Sequence, residues 1–216
     1  MSQQISLREA ERRAFRSAHN DGLWDILLGS VFLMFAFAPL LSPYLGDFWS
    51  SALFLPVWGL VYLVVWLLRR FVVIPRVGVA RFGQARTKRL KKLSYVMLAV
   101  NVLALILGIV VAANLGGVPG QMIAVVLGLF FLVGFSLSAY FLDLYRLYFY
   151  GLLVAFSPLV GEWLYANGKA SHHGFPLVFG ITAGIMILVG LVLFIRLLHD
   201  NPVPSGSEEE DLVQEA

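Results

Sequence analysis

Asp21 and Asp25 stand four residues apart at the start of a long apolar run. On a helix that spacing puts both carboxylates on one face. Near a helix N-terminus their charge is favoured by about 0.3–1 kcal/mol. Three roles follow from the residue types: simple capping, an ion pair from Asp25 to an arginine of the basic loop described below, or a cation site. Asp143 and Arg146 are three residues apart between two apolar runs. At membrane depth an unpaired charge is costly, so there they would be partners; at the interface they would simply form a turn. Glu162, His172 and His173 are the donor types of a divalent metal site. Two adjacent histidines on a loop seldom face one ion, however, and no metal site is assigned to them. Arg76, Arg81, Arg86 and Arg89 form a cationic set suited to phosphate groups and anionic lipid heads. The chain has no Ser-His-Asp set, HExxH, P-loop or dinucleotide fingerprint. With no cysteine, thiol catalysis and cysteine-ligated metals are excluded. No catalytic residue and no cofactor is therefore expected.

The elements that carry these residues are apolar helices. The chain is 59% hydrophobic and 13% charged, against roughly 25% charged in soluble domains, so the class is an integral membrane protein. A span needs ~20 apolar residues to cross ~30 Å of hydrocarbon. Six segments qualify: about 23–45, 50–68, 93–113, 121–141, 147–165 and 175–198, of which the fifth is short. The expected fold is all-α, a bundle of six transmembrane helices filling residues 21–198, with both termini cytoplasmic. Asp21 and Gly22 suit an N-cap and turn for the first span. Residues 1–20 read as an amphipathic helix lying on the cytoplasmic leaflet. Arginines precede an apolar run, and Ala36-Phe37-Ala38 resembles a leader-peptide cut. Pro39 directly after it, and the continuing apolar run, make an uncleaved segment the expectation. Residues 199–216 carry two prolines and then four consecutive acids, and should be a disordered acidic tail.

Residues 69–92 organise the whole. They hold nine of the sixteen Lys and Arg residues and no acid. With six spans, fifteen of the sixteen basic residues fall on one side and only Lys169 on the other. Such a split makes the basic side cytoplasmic by the positive-inside rule. Pro75 is expected to hold the residue before it in an extended or turn conformation, and residues 84–93 should form a basic helix leading into the third span. Asn101, in the middle of that span, is expected to make an interhelical hydrogen bond. Gly180 and Gly184, with Ala183 and Gly190, give the sixth span a small-residue face for close helix packing, and Gly128 and Gly134 do the same in the fourth.

The entry Asp21-Gly22-Leu23-Trp24-Asp25-Ile26 with Gly29, followed by Pro75-Arg76-Val77-Gly78 with Phe82, resembles a set of small prokaryotic multi-span membrane proteins. These carry a DGxxDIxxG entry and a PRxGxxxF loop. The resemblance covers about the first ninety residues. It implies a prokaryotic, multi-pass cell-membrane location and brings no activity with it. Three functions stay open. The first is a non-enzymatic structural or regulatory subunit that engages anionic membrane lipids or a membrane-protein partner, another copy included, through the basic loop. The second is a small solute or ion transporter, with a polar cavity near Asn101 and Ser136. The third is a lipid-modifying enzyme using Asp25, Asp143 and Arg146. Nucleic acid is a poor partner for a short basic segment tethered at the bilayer.

Overall fold

The computed structural model describes residues 21–77, 84–113 and 118–202. The expected N-terminal amphipathic helix, the centre of the basic loop with Arg81, the breaker-rich 114–117 and the acidic tail lie outside the described residues, as does the side chain of Arg86. The described residues form helices and no strand: α1 (Leu23–Leu45), α2 (Asp47–Ala52), α3 (Phe54–Leu68), α4 (Ile74–Val77), α5 (Gln84–Ala113), α6 (Gly120–Leu142), α7 (Arg146–Ala166) and α8 (Phe175–Asp200). Six helices are long and apolar enough to cross a membrane; α2, α3, α4 and a π turn join into the second of them. In hydrocarbon a helix is the element that satisfies every backbone N–H and C=O within its own segment.

α1 lies along α8, α6 lies along α7, and α7 joins the two pairs by touching α8. These four helices make the core. Val154, Phe179, Ala183 and Met186 are completely buried in it. α5 touches α6, and the second span touches α1 through α2 and α3. Both are peripheral, and no residue of α3 is buried. Small residues set the close approaches. A Cβ on Gly29 would lie 3.0 Å from the Ala183 carbonyl oxygen, and one on Gly190 would lie 2.7 Å from that of Gly22. Gly22 adopts a left-handed φ of 74°, open to glycine at little cost. A Cβ on Gly128 would lie 2.5 Å from the Ala155 carbonyl, so this glycine seats α6 against α7. The Gly180/Gly184 pair is placed differently from expectation. Gly180 meets only the Ala36 side chain, at 3.8 Å, and Gly184 and Gly134 have nothing within 4 Å. On α8 the packing face runs instead through Ala183 and Gly190, one position away from Gly184 on the helical wheel.

Pro75 corrects a second expectation. Ile74, the residue before it, is helical at φ −59° and ψ −43°. The helix reaches Val77 because residues Arg69–Val73 form a π turn, in which the Ile74 N–H donates to the Arg69 carbonyl five residues back. Proline lacks an N–H and its ring crowds the carbonyl four residues before it. One turn with a five-residue repeat absorbs that misfit without breaking the helix.

Candidate functional site

The charged residues gather at one end of the bundle, where α1, α5 and α7 begin and α3, α6 and α8 end. Among the described residues, three aspartate–arginine pairs tie those ends together. The Asp25 Oδ1 lies 2.9 Å from Arg146 Nε, linking α1 to α7. The Asp143 Oδ2 accepts from Arg89 Nη1 at 3.0 Å, linking the α6–α7 turn to α5. Asp21 Oδ2 lies 4.0 Å from Arg69 Nε, linking the entry of α1 to the end of α3. Asp21 also caps locally, its Oδ1 accepting the Leu23 N–H at 3.1 Å. Asp21 and Asp25 are each only 1% exposed. At that burial a carboxylate must be paired, since removing an ion from water costs several kcal/mol.

Asp143 and Arg146 are thus each drawn to a partner on another helix. Asp143 takes a left-handed φ of 57° in a short turn, and α7 starts at Arg146. The turn sends the two side chains to different neighbours, Asp143 to α5 and Arg146 to α1. Among the described residues Asp25 pairs with Arg146 and not with the basic loop, whereas Asp21 meets the start of that loop through Arg69. Arg69 is the pairing residue the sequence reading passed over. Its position, one helical hairpin away from Asp21 at the same membrane depth, was the available signal.

The four arginines singled out in the basic segment divide. Arg89 is committed to Asp143 and also donates to the Tyr140 carbonyl while lying over the Tyr140 ring. Arg76 folds back along its own helix, Nη1 donating to the Val72 carbonyl at 3.4 Å. Arg81 and the side chain of Arg86 lie outside the described residues. Arg70 stacks on Trp66. Lys88, Lys91 and Lys92 are exposed and take no ion pair among the described residues. They sit on one face of α5 by their i, i+3, i+4 spacing.

Above the charged end, a cavity of about 410 Å³ lies between α1, α5, α6 and α7. Its walls are chiefly apolar, and its polar residues include Asp25, Arg146, Ser138 and Asn101. Asn101 makes no interhelical bond: its Nδ2 donates to the Met97 carbonyl of its own helix at 2.8 Å. Asn101 is exposed beside the cavity, and its amide bonds back one turn. Ser136, near which a transporter would need a polar cavity, does not line this one; Ser138, two residues on, does.

At the opposite end a second cavity, about 400 Å³, is lined by Ser42, Asp47, Ser50 and both histidines. Ser42 donates to Asp47 there. Glu162 Oε2 and His173 Nδ1 lie 2.7 Å apart, while His172 faces Ser171. Glu162 thus meets one histidine rather than two, and no group of three metal-ligating side chains converges among the described residues. Between the two cavities, Phe32, Phe35, Phe131 and Phe179 pack ring to ring at centroid separations of 5.2–6.3 Å. No family model, no curated protein and no solved structure matches this chain.

Proposed function

We propose that this is a non-enzymatic structural or regulatory membrane subunit, akin to the small prokaryotic multi-span set it resembles. In this reading it lies in the cell membrane with both termini in the cytoplasm and engages anionic lipid heads through its basic segment. One observation carries the reading. Arg69 and Arg89 are consumed by ion pairs, while Lys88, Lys91 and Lys92 stand exposed on one helix face at the same end. Arginine's planar fork suits fixed pairing with carboxylates. Mobile lysines at a leaflet surface gain about 1 kcal/mol each from anionic lipid. The segment is thus part staple and part electrostatic platform.

The other two readings draw less support. Transport needs a polar path through the midplane, and the phenylalanine cluster fills the space between the two cavities. Lipid chemistry at Asp25, Asp143 and Arg146 needs those groups available, and each is held in an ion pair.

The test is retention of lipid by the full-length protein. Purified in neutral detergent with equal phosphatidylcholine and phosphatidylglycerol, it should co-purify with phosphatidylglycerol in several-fold excess by mass spectrometry. The triple variant Lys88→Gln, Lys91→Gln, Lys92→Gln should lose that excess. A variant with Arg76 and Arg81 changed to Glu probes the rest of the segment. If both variants retain the wild-type lipid ratio, the proposal fails.

A further inference from the structure

The 410 Å³ cavity is of the size that holds a small-molecule ligand. It is not sealed. Trp24 and Asn101 line it and are exposed on the flank of the bundle, within membrane-spanning helices. A ligand would therefore enter sideways from the bilayer. Gly134 lines the same space, and a Cβ built on it meets nothing within 4 Å, so the groove continues over the α6 backbone.

Two features restrict the ligand's polar end. The first is charge. The charged residues that line the cavity are Asp25 and Arg146, and they face each other at 2.9 Å. A charged head brought here would be stripped of water beside an ion pair already formed, at a cost of several kcal/mol. The second is hydrogen-bonding sense. Ser138 spends its proton on the Gly134 carbonyl at 2.9 Å, leaving oxygen lone pairs. Asn101 gives one amide proton to the Met97 carbonyl, which leaves its second N–H and its Oδ1 for a ligand. Asp25 Oδ2 is buried, and the Tyr150 hydroxyl is the hydrogen-bonding neighbour of this carboxylate. Ser138 and Asn101 also sit close together, since the Ser138 hydroxyl lies 3.8 Å from Met97 Sδ and Asn101 is one turn further along α5. The cavity thus offers the acceptors of Ser138 and Asn101 beside the N–H donors of Asn101 and Arg146, and the complement of that mixed set is an uncharged group that both donates and accepts, a hydroxyl.

We propose that this cavity is a laterally entered binding site for an uncharged, hydroxyl-headed membrane lipid. The hydroxyl donates to the acceptors of Ser138 and Asn101, with Asp25 beyond them, and the hydrocarbon chain lies against Phe130 and Phe131 and passes out between α1 and α5. This site is separate from the basic face, and it stands or falls independently of anionic-lipid binding there.

The experiment uses the full-length protein in phosphatidylcholine nanodiscs, with a diacylglycerol carrying a diazirine in one acyl chain. A phosphatidic acid with identical chains is the matched charged probe. The diacylglycerol should label the peptides spanning residues 97–101 and 130–138, and the phosphatidic acid should label them at least five-fold less. Unlabelled diacylglycerol or a long-chain isoprenoid alcohol should compete, whichever is the cell's source of the hydroxyl. Gly134→Phe, which fills the groove, should cut labelling at least five-fold, whereas Gly184→Phe on a lipid-facing position should leave it intact. If Gly134→Phe does not fold, Ser138→Ala with Asn101→Leu keeps the shape, removes the acceptors and should abolish the preference over phosphatidic acid. Equal labelling by the two probes would overturn the proposal. So would labelling spread evenly over α3, or labelling insensitive to every cavity variant.

Discussion

Asp25 is the residue on which the charged end depends. Its carboxylate is 1% exposed and its ion-pair partner Arg146 keeps only 18% side-chain exposure. Truncating one member of such a pair strands the other charge, a loss of about 3–5 kcal/mol. Asp25→Ala should therefore lower the thermal unfolding midpoint in detergent sharply. Asp25→Leu combined with Arg146→Met should recover much of the loss, because an apolar pair of similar volume carries no stranded charge. Recovery is the informative outcome: it separates desolvation from any specific role of the carboxylate, and a double variant as unstable as the single would show that Asp25 has other partners of equal weight. The Arg89–Asp143 pair is more exposed, Arg89 retaining 33%. Arg89→Lys should still cost measurably there, since lysine cannot make the forked contact to Asp143 and the Tyr140 carbonyl together. A cost near 1 kcal/mol is expected, read from the same unfolding midpoint.

At the scale of the helices, stability rests on a few backbone approaches that the glycines permit. A side chain on Gly22 would meet the Gly190 carbonyl and lie 2.9 Å from Leu193 Cβ, on a backbone at φ 74° that disfavours L-residues by about 1–2 kcal/mol. Gly22→Ala should thus loosen α1 from α8 and lower the unfolding midpoint, while Gly184→Ala, facing open space, should be neutral or slightly stabilising. Equal effects of the two would mean the α1–α8 contact is not the seat of stability. Much of this level was legible in the sequence. The first span is Leu23–Leu45 as its hydropathy required, and the basic segment is helical over Gln84–Ala113, running on into the third span. What was not legible has physical causes. Helical periodicity locates a small-residue stripe only to within a residue or so, and one residue turns the helix by about 100°, so the stripe's members did not reveal which of them face α1. Pro75 reads as a helix stop unless a π turn is inserted before it, and Arg69–Val73 carries no residue that announces one. The ion pairs join residues far apart in the chain, and the turn at Asp143 sends two neighbours in sequence to opposite partners.

For the molecule as a whole, the bundle is uneven: four helices form a packed core, and the second and third spans are appended to its flanks with almost no burial of their own. Those two spans are the ones joined by the basic segment, so the charge proposed to orient the chain sits on its least-packed elements. Their placement depends on the staples Arg69–Asp21 and Arg89–Asp143, which anchor each of them at the charged end. The proposed orientation rests on the same charges. On the six-span reading, fifteen of sixteen basic residues fall on one side, a bias that moving a single one would not reverse. The absence of cysteine makes the orientation directly measurable, because any introduced thiol is unique. With Lys88→Cys and Lys169→Cys made separately, a membrane-impermeant maleimide added to intact cells should label only the second variant. Opening the cells should then expose the first. Both positions are exposed in the structure, so failure to react reports the side of the membrane and not burial. Labelling of the Lys88→Cys variant alone in intact cells would reverse the topology and with it the cytoplasmic placement of the basic face. Labelling of both variants would show that the second and third spans do not cross, the outcome their sparse packing makes worth testing.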